Sequence, residues 1–141
     1  MQGDNRAEAD IGTGRVGTPH SAADDDPVEP IAVLVRPDTP SGTVVLAVRG
    51  ELDYGTSAPL RDALEENTGS GRVVVDCSGL RFCDSTGLNL LLKARLKMQG
   101  DGGRLDLAGL RAPVDRMFEI TGARTVFRVY GDTDEALADP P

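Results

Sequence analysis

The stretch Val73-Val74-Val75-Asp76-Cys77-Ser78-Gly79-Leu80-Arg81-Phe82-Cys83-Asp84-Ser85-Thr86-Gly87-Leu88 decides how the rest of the chain is read. Its β-branched opening predicts a buried strand over 72–77, a short apolar run bounded by turn residues. Residues 78–83 then read as a loop. Asp84-Ser85-Thr86-Gly87 opens a helix from about Ser85 to Gln99, since Asp and Ser oxygens accept from the free amides of a first helical turn. Leu88, Leu91, Leu92 and Leu96 fall at i, i+3, i+4 and i+8 and predict its apolar stripe. Lys93, Arg95 and Lys97 gather in the second half, where cations oppose the negative end of the helix. A hydroxyl residue, Ser85, thus stands at the positive end of a helix dipole.

Working outward, Ile31 to Arg36 predicts a short strand and Pro37-Asp38-Thr39-Pro40-Ser41-Gly42 a turn. Thr43 to Gly50 is a second, largely apolar strand, close enough to the first to form an antiparallel hairpin. Glu51-Leu52-Asp53-Tyr54-Gly55 reads as a loop. A helix follows from Ser57 or Ala58, with Pro59 in its first turn and Leu60, Ala63 and Leu64 on one face. Gly69-Ser70-Gly71 ends it. Beyond the central stretch, Gly100-Asp101-Gly102-Gly103 is a tight turn before a strand at Arg104 to Ala108. A helix runs from Pro113 to about Ile120 with Val114, Met117 and Phe118 inward, then a strand over Val126 to Tyr130 and a short helix from Asp132 to Ala138. Strands alternating with helices indicate one α/β domain over 31–138, its sheet largely parallel and made mixed by the hairpin. Functional loops of such sheets gather beyond the carboxyl ends of the strands, here 50–56 and 78–85.

The 141 residues have room for one core, and the absence of Trp with only five Phe and Tyr makes that core aliphatic. Residues 1–30 contain Asp24-Asp25-Asp26 and no periodic apolar pattern, so a disordered acidic tail is expected. Solubilisation is one reading of it, and docking or regulation the other. The tail holds seven acids against two arginines, a net −5 of the −8 carried by the whole chain. Neither part is basic, which excludes the electrostatic footprint of nucleic-acid binding and disfavours an anionic membrane. No apolar run approaches the roughly 18 residues of a membrane span, and the start lacks the basic and apolar blocks of a secretory signal. A cytoplasmic protein with a protein partner or a small ligand is expected.

Enzyme readings lack parts. Cys77 and Cys83, with five residues between them, match neither a zinc nor a redox spacing and read as small buried hydrophobes. The single histidine, His20, lies in the tail, so a Ser-His or Cys-His pair has no base within the domain. There is no metal-ligand cluster, no GxxxxGK[ST] phosphate loop and no second copy of an aspartic-protease motif. Ser85 itself has two readings. As a helix cap it is purely structural. As a phosphoacceptor it would carry about −1.5 to −2 of charge, met favourably by the helix N-terminus and unfavourably by Asp84.

Three stretches in order, Val48-Arg49-Gly50-Glu51-Leu52-Asp53, Val73 to Leu92 around Asp84-Ser85-Thr86-Gly87, and Met117-Phe118-Glu119-Ile120-Thr121-Gly122, give the chain its resemblance to the STAS domain. Within that family it resembles the bacterial anti-sigma factor antagonists of partner-switching pathways, from about Val33 to Leu137. The resemblance implies a mixed sheet of four or five strands with about four helices. It implies a protein that binds an anti-sigma factor of the serine-kinase type and releases it when phosphorylated, a PP2C-type phosphatase resetting the switch. By position Ser85 is then the phosphoacceptor, Thr86 a secondary one, and Glu51, Asp53, Tyr54, Asp84, Thr86 and Gly87 belong with Ser85 to the partner surface. No cofactor is implied. The competing reading is a STAS scaffold or an accessory subunit of a signalling assembly or transporter, with the Ser85 region merely docking.

Overall fold

A computed structural model describes residues 30–38 and 41–139; the expected tail over residues 1–30, apart from Pro30, and part of the first turn, Thr39 and Pro40, lie outside the described residues. Five strands form one sheet in the order β1-β2-β3-β4-β5. They are β1 (Ala32–Asp38), β2 (Thr43–Leu52), β3 (Arg72–Cys83), β4 (Arg104–Ala108) and β5 (Val129–Tyr130). The β1–β2 hairpin is antiparallel, as expected, and every later pairing is parallel. Between the parallel strands run α1 (Ala58–Asn67) with a following 3₁₀ turn, α2 (Ser85–Gly100), α3 (Val114–Ile120) and α4 (Ala123–Val126); α5 (Thr133–Ala138) closes the described chain.

The sheet has two unequal faces. Leu46 and Val48 of β2, Val73, Val75 and Cys77 of β3, and Leu105 and Leu107 of β4 pack under α1, α2 and α3 in the main core. The alternate residues Val45, Val74 and Ala108 meet Ala136 of α5 on the other side. Burial on both sides explains why β3 reads as a continuous apolar run rather than an alternating one.

Four sequence expectations are corrected. The segment 78–83 is strand, not loop: β3 continues alongside β2 to Cys83, and the ladder skips a β3 residue twice, between Ala47 and Arg49 and between Gly50 and Glu51. Such bulges break the period-two pattern that marks a strand in sequence, which is why Ser78-Gly79 looked like a loop. Gly79 is required there, because a Cβ would lie 2.8 Å from Arg49 Cγ and 3.2 Å from the Val48 carbonyl oxygen. The second correction concerns Leu96, which is 63% exposed. The buried side of α2 runs through Gly87, Leu88, Leu91 and Met98, and five residues beyond Leu91 the helix has turned about 140° away. Third, Glu51 and Leu52, expected in the loop, end β2 instead, because they pair with Phe82 and Cys83 of the lengthened β3; the cations Lys93, Arg95 and Lys97 do lie in the second half of α2. Fourth, the last strand is only Val129–Tyr130, because Ala123–Val126 is helical.

Candidate functional site

The end of β2 and the start of α2 are joined by the backbone. Asp84 N donates to the Leu52 carbonyl (3.1 Å) and the Asp84 carbonyl accepts from Leu88 N (3.0 Å). Asp84 is extended, with φ −97° and ψ −174°, and its carboxylate accepts from Gly87 N at 3.0 Å. It is therefore the cap of α2. Ser85 is the first helical residue, with an exposed side chain and no capping duty. Of the two readings of Ser85, the purely structural one loses its basis.

Gly87 sits beneath this corner and is buried. A Cβ on it would fall 2.6 Å from Leu52 Cγ and 3.0 Å from Cys83 Sγ. Leu52 and Cys83 thus occupy the space that a side chain at Gly87 would need. Its place in the site is to let α2 close onto the end of β2, which holds Ser85 where it is.

The neighbouring turn is built by Thr56. Its hydroxyl donates to the Glu51 carbonyl (2.6 Å) and accepts from Asp53 N (3.0 Å), while Asp53 Oδ1 accepts from Gly55 N (2.9 Å). Tyr54 projects at the tip of this turn, 83% exposed. Glu51 is exposed, lies opposite Phe82 in the ladder, and its carboxylate is 4.0 Å from Arg81. Phe82, 45% exposed, is the residue that sequence reasoning missed. The signal was present: a strand through 78–83 with Cys83 inward would have turned its neighbour Phe82 outward. The structure thus brings together Glu51, Asp53, Tyr54, Phe82, Asp84, Ser85 and Thr86 at the carboxyl ends of β2 and β3. Thr86 is half-buried and faces a groove of about 580 Å³ between α1 and α2.

The two thiols beside the site are inert. Burial, and next the Asp84 carboxylate, push the Cys83 thiol up to about 12. Burial, and then Asp76, raise Cys77 strongly as well. Both stay protonated at neutral pH, and redox sensing needs an accessible thiolate. Among the described residues no group of His, Cys, Asp and Glu could hold a metal ion, and no helix is long and apolar enough to cross a membrane. Chemically, the corner offers a solvent-facing hydroxyl at a helix N-terminus, with carboxylates and two exposed aromatics on the adjoining segments.

A family model described as Mlab, STAS domain matches residues 35–129. The chain belongs to the STAS family. The anti-sigma F factor antagonist of Paenibacillus polymyxa is 26% identical to it over 101 residues, covering 70% of this chain and 86% of the relative. The anti-sigma-F factor antagonist RsfB of Mycobacterium tuberculosis is 26% identical over 110 residues, covering 77% and 89%. A crystal structure of an anti-sigma factor antagonist from Mycobacterium paratuberculosis superimposes with a TM-score of 0.67 at 29% identity, over 77% of this chain and 92% of that one. The mixed five-stranded sheet described above is thus the STAS fold, and the curated relatives that this STAS domain matches include anti-sigma factor antagonists.

Proposed function

We propose that this protein is an anti-sigma factor antagonist whose hold on its partner is set by phosphorylation of Ser85. The observation that carries the reading is the capping of α2 by Asp84, which leaves the Ser85 hydroxyl exposed and uncommitted at the first helical position. The names of the relatives supply the class of partner, an anti-sigma factor. In this reading the partner is of the serine-kinase type and docks on Tyr54 and Phe82, with Glu51, Asp53, Asp84, Ser85 and Thr86 between them and Gly87 shaping the corner from below. A PP2C-type phosphatase reverses the modification.

The switch follows from electrostatics. A phosphate on Ser85 adds about −1.5 to −2 of charge in the middle of the docking surface. The α2 N-terminus attracts it, while Asp84 repels it at close range. A partner that fits the neutral serine then meets a bulky dianion that it must desolvate, and the complex opens.

Intact-mass analysis with site mapping, on the protein from its native cells, tests the proposal. A phosphorylated species mapping to Ser85 and vanishing in Ser85→Ala is expected. Ser85→Ala should keep its hold on the anti-sigma factor, and Ser85→Asp should bind at least about tenfold more weakly, some 1.4 kcal/mol. Tight binding by Ser85→Asp would overturn the switch. Unmodified Ser85 under every growth condition would favour the scaffold reading instead.

A further inference from the structure

The groove between α1 and α2 is lined by an excess of positive charge. Its floor is apolar, from Leu64, Leu90 and Ala94, and its walls hold Arg61, Lys93 and Lys97 against the single carboxylate of Glu65. Arg61 Nη2 donates to Ser57 Oγ at 3.1 Å. Among the described residues, neither Arg61 nor the two lysines forms an ion pair. Within the described residues this positive charge is not offset by ion pairs, in a chain whose net charge is −8.

The chain preceding the fold is its complement, and the structure fixes where that chain leaves. Ile31 N donates to the Thr56 carbonyl at 3.4 Å, and Thr56 precedes Ser57 and lies two residues after Tyr54, both of which line the groove. Residues 1–30 therefore join the fold beside the groove mouth and carry seven acids against two arginines. The densest run, Asp24-Asp25-Asp26, lies five to seven residues before Ile31, a reach of up to about 17 to 24 Å. From Thr86 to Lys97 the groove extends about 16 Å along α2.

We propose that Asp24-Asp25-Asp26 docks in the α1–α2 groove of its own chain, against Arg61, Lys93 and Lys97. Tethering makes the contact intramolecular, at an effective concentration on the order of millimolar, so individually weak ion pairs suffice. Val28, two residues nearer the fold, is available to the apolar floor. The proposal does not depend on Ser85 being phosphorylated or on the identity of the partner.

Paramagnetic broadening in the full-length protein tests it. A nitroxide placed on Ser21→Cys labels the tail alone, because Cys77 and Cys83 are buried and protonated. The amides of Asn89, Lys93 and Lys97 are expected to lose most of their intensity while those of Val129 and Ala136 keep theirs. The loss should disappear in 1 M salt, where the screening length falls to about 3 Å. It should also disappear in D24N/D25N/D26N and in K93E/K97E, and return when K93E/K97E is combined with D24K/D25K/D26K. Broadening confined to Ile31 and Thr56, spread evenly, or indifferent to Asp24–Asp26 would overturn the proposal. So would broadening that appears in full when an isotope-labelled, spin-free chain is mixed with a spin-labelled one, since the occupant would then be the tail of a second copy.

Discussion

Asp84 and Ser85 divide two tasks that either residue type could perform: the Asp84 carboxylate caps α2 through Gly87 N at 3.0 Å, and the Ser85 hydroxyl faces solvent one residue later. The division has an energetic signature. Asp84→Ala removes the only side-chain cap of α2 and should cost about 1 kcal/mol of stability. Asp84→Asn keeps a capping oxygen and should cost a few tenths, and Ser85→Ala should stay within about 0.5 kcal/mol of the parent. Urea unfolding of the three variants measures this. Equal losses for Asp84→Ala and Ser85→Ala would mean that the cap is shared after all.

Tyr54 and Phe82 flank that serine without packing into the core, so their removal should separate binding from folding. Tyr54→Ala and Phe82→Ala should each leave stability within about 0.5 kcal/mol. At least one should weaken binding of the anti-sigma factor by about 2 kcal/mol or more, because exposed aromatics in an interface become its anchors. Calorimetric titration decides. Parental affinity in both variants would move the docking surface elsewhere.

The parts of the fold that were legible in sequence are those whose pattern has one physical cause. Leu60, Ala63 and Leu64 repeat at helical spacing because one side of α1 faces the sheet, and the valines at 73–75 run together because β3 is buried on both sides. Ser85 at the mouth of a helix was legible from Asp84 to Gly87 alone. What escaped had two causes acting at once. Over 78–83 a strand and two bulges superpose, so the period-two signal dissolves and Phe82 loses its address. The four leucines of the stripe expected in α2 spread over about 140° at 100° per residue, and only the structure says that Leu96 is the one turned away. The cationic groove was invisible for a different reason: Arg61 and Lys93 are 32 positions apart and meet only through the packing of α1 on α2.

The buried thiols give the protein an alkaline limit. With its pKa raised to about 12 from an ordinary 9.0, Cys83 keeps its proton in the folded state while the unfolded chain releases it. The stabilisation is therefore fully present below about pH 9 and is lost progressively as pH rises toward about 12. Cys77 is shifted in the same direction. Unfolding midpoints should fall more steeply above about pH 9 in the parent than in Cys77→Ala/Cys83→Ala, a comparison that subtracts the lysines titrating in the same range. At neutral pH iodoacetamide should leave both thiols unmodified until urea is added; rapid labelling of the native protein would show an opening that the packing of Cys83 does not contain.

Gly87 tests whether packing or propensity governs the start of α2. Replacing a helical glycine by alanine ordinarily gains about 1 kcal/mol. Here the new methyl would lie 2.6 Å from Leu52 Cγ and 2.8 Å from its Cδ2, with Cys83 Sγ 3.0 Å away. Overpacking of this kind costs about 1 to 3 kcal/mol, so Gly87→Ala should be destabilising on balance. Leu52→Ala should relieve the clash, making the double variant more stable than the sum of the two single losses implies. Additive losses would mean that the corner yields without strain.

At the opposite ends of the same strands, Arg72 and Asp106 form a buried pair that should matter to folding and not to binding. Asp106 Oδ2 accepts from Arg72 Nε (3.0 Å) and Arg104 Nε (2.8 Å), and Arg72 Nη1 donates to the Asp139 carbonyl (3.3 Å), tying the end of α5 to the sheet. Arg72 Nη2 lies 3.0 Å from the same carboxylate oxygen yet is not aligned to donate, so this desolvated cation is incompletely satisfied. A pair of that kind contributes little net stability, but removing one partner strands the other. Asp106→Leu strands a buried guanidinium and should cost about 3 to 5 kcal/mol. Arg72→Met should cost less, because Asp106 keeps Arg104. The double variant Arg72→Met/Asp106→Leu should recover much of the Asp106→Leu loss, which a double-mutant cycle reads directly. Affinity for the anti-sigma factor should be parental in every variant that folds, and a loss of affinity here would mean that the docking surface reaches round to the amino ends of β3 and β4.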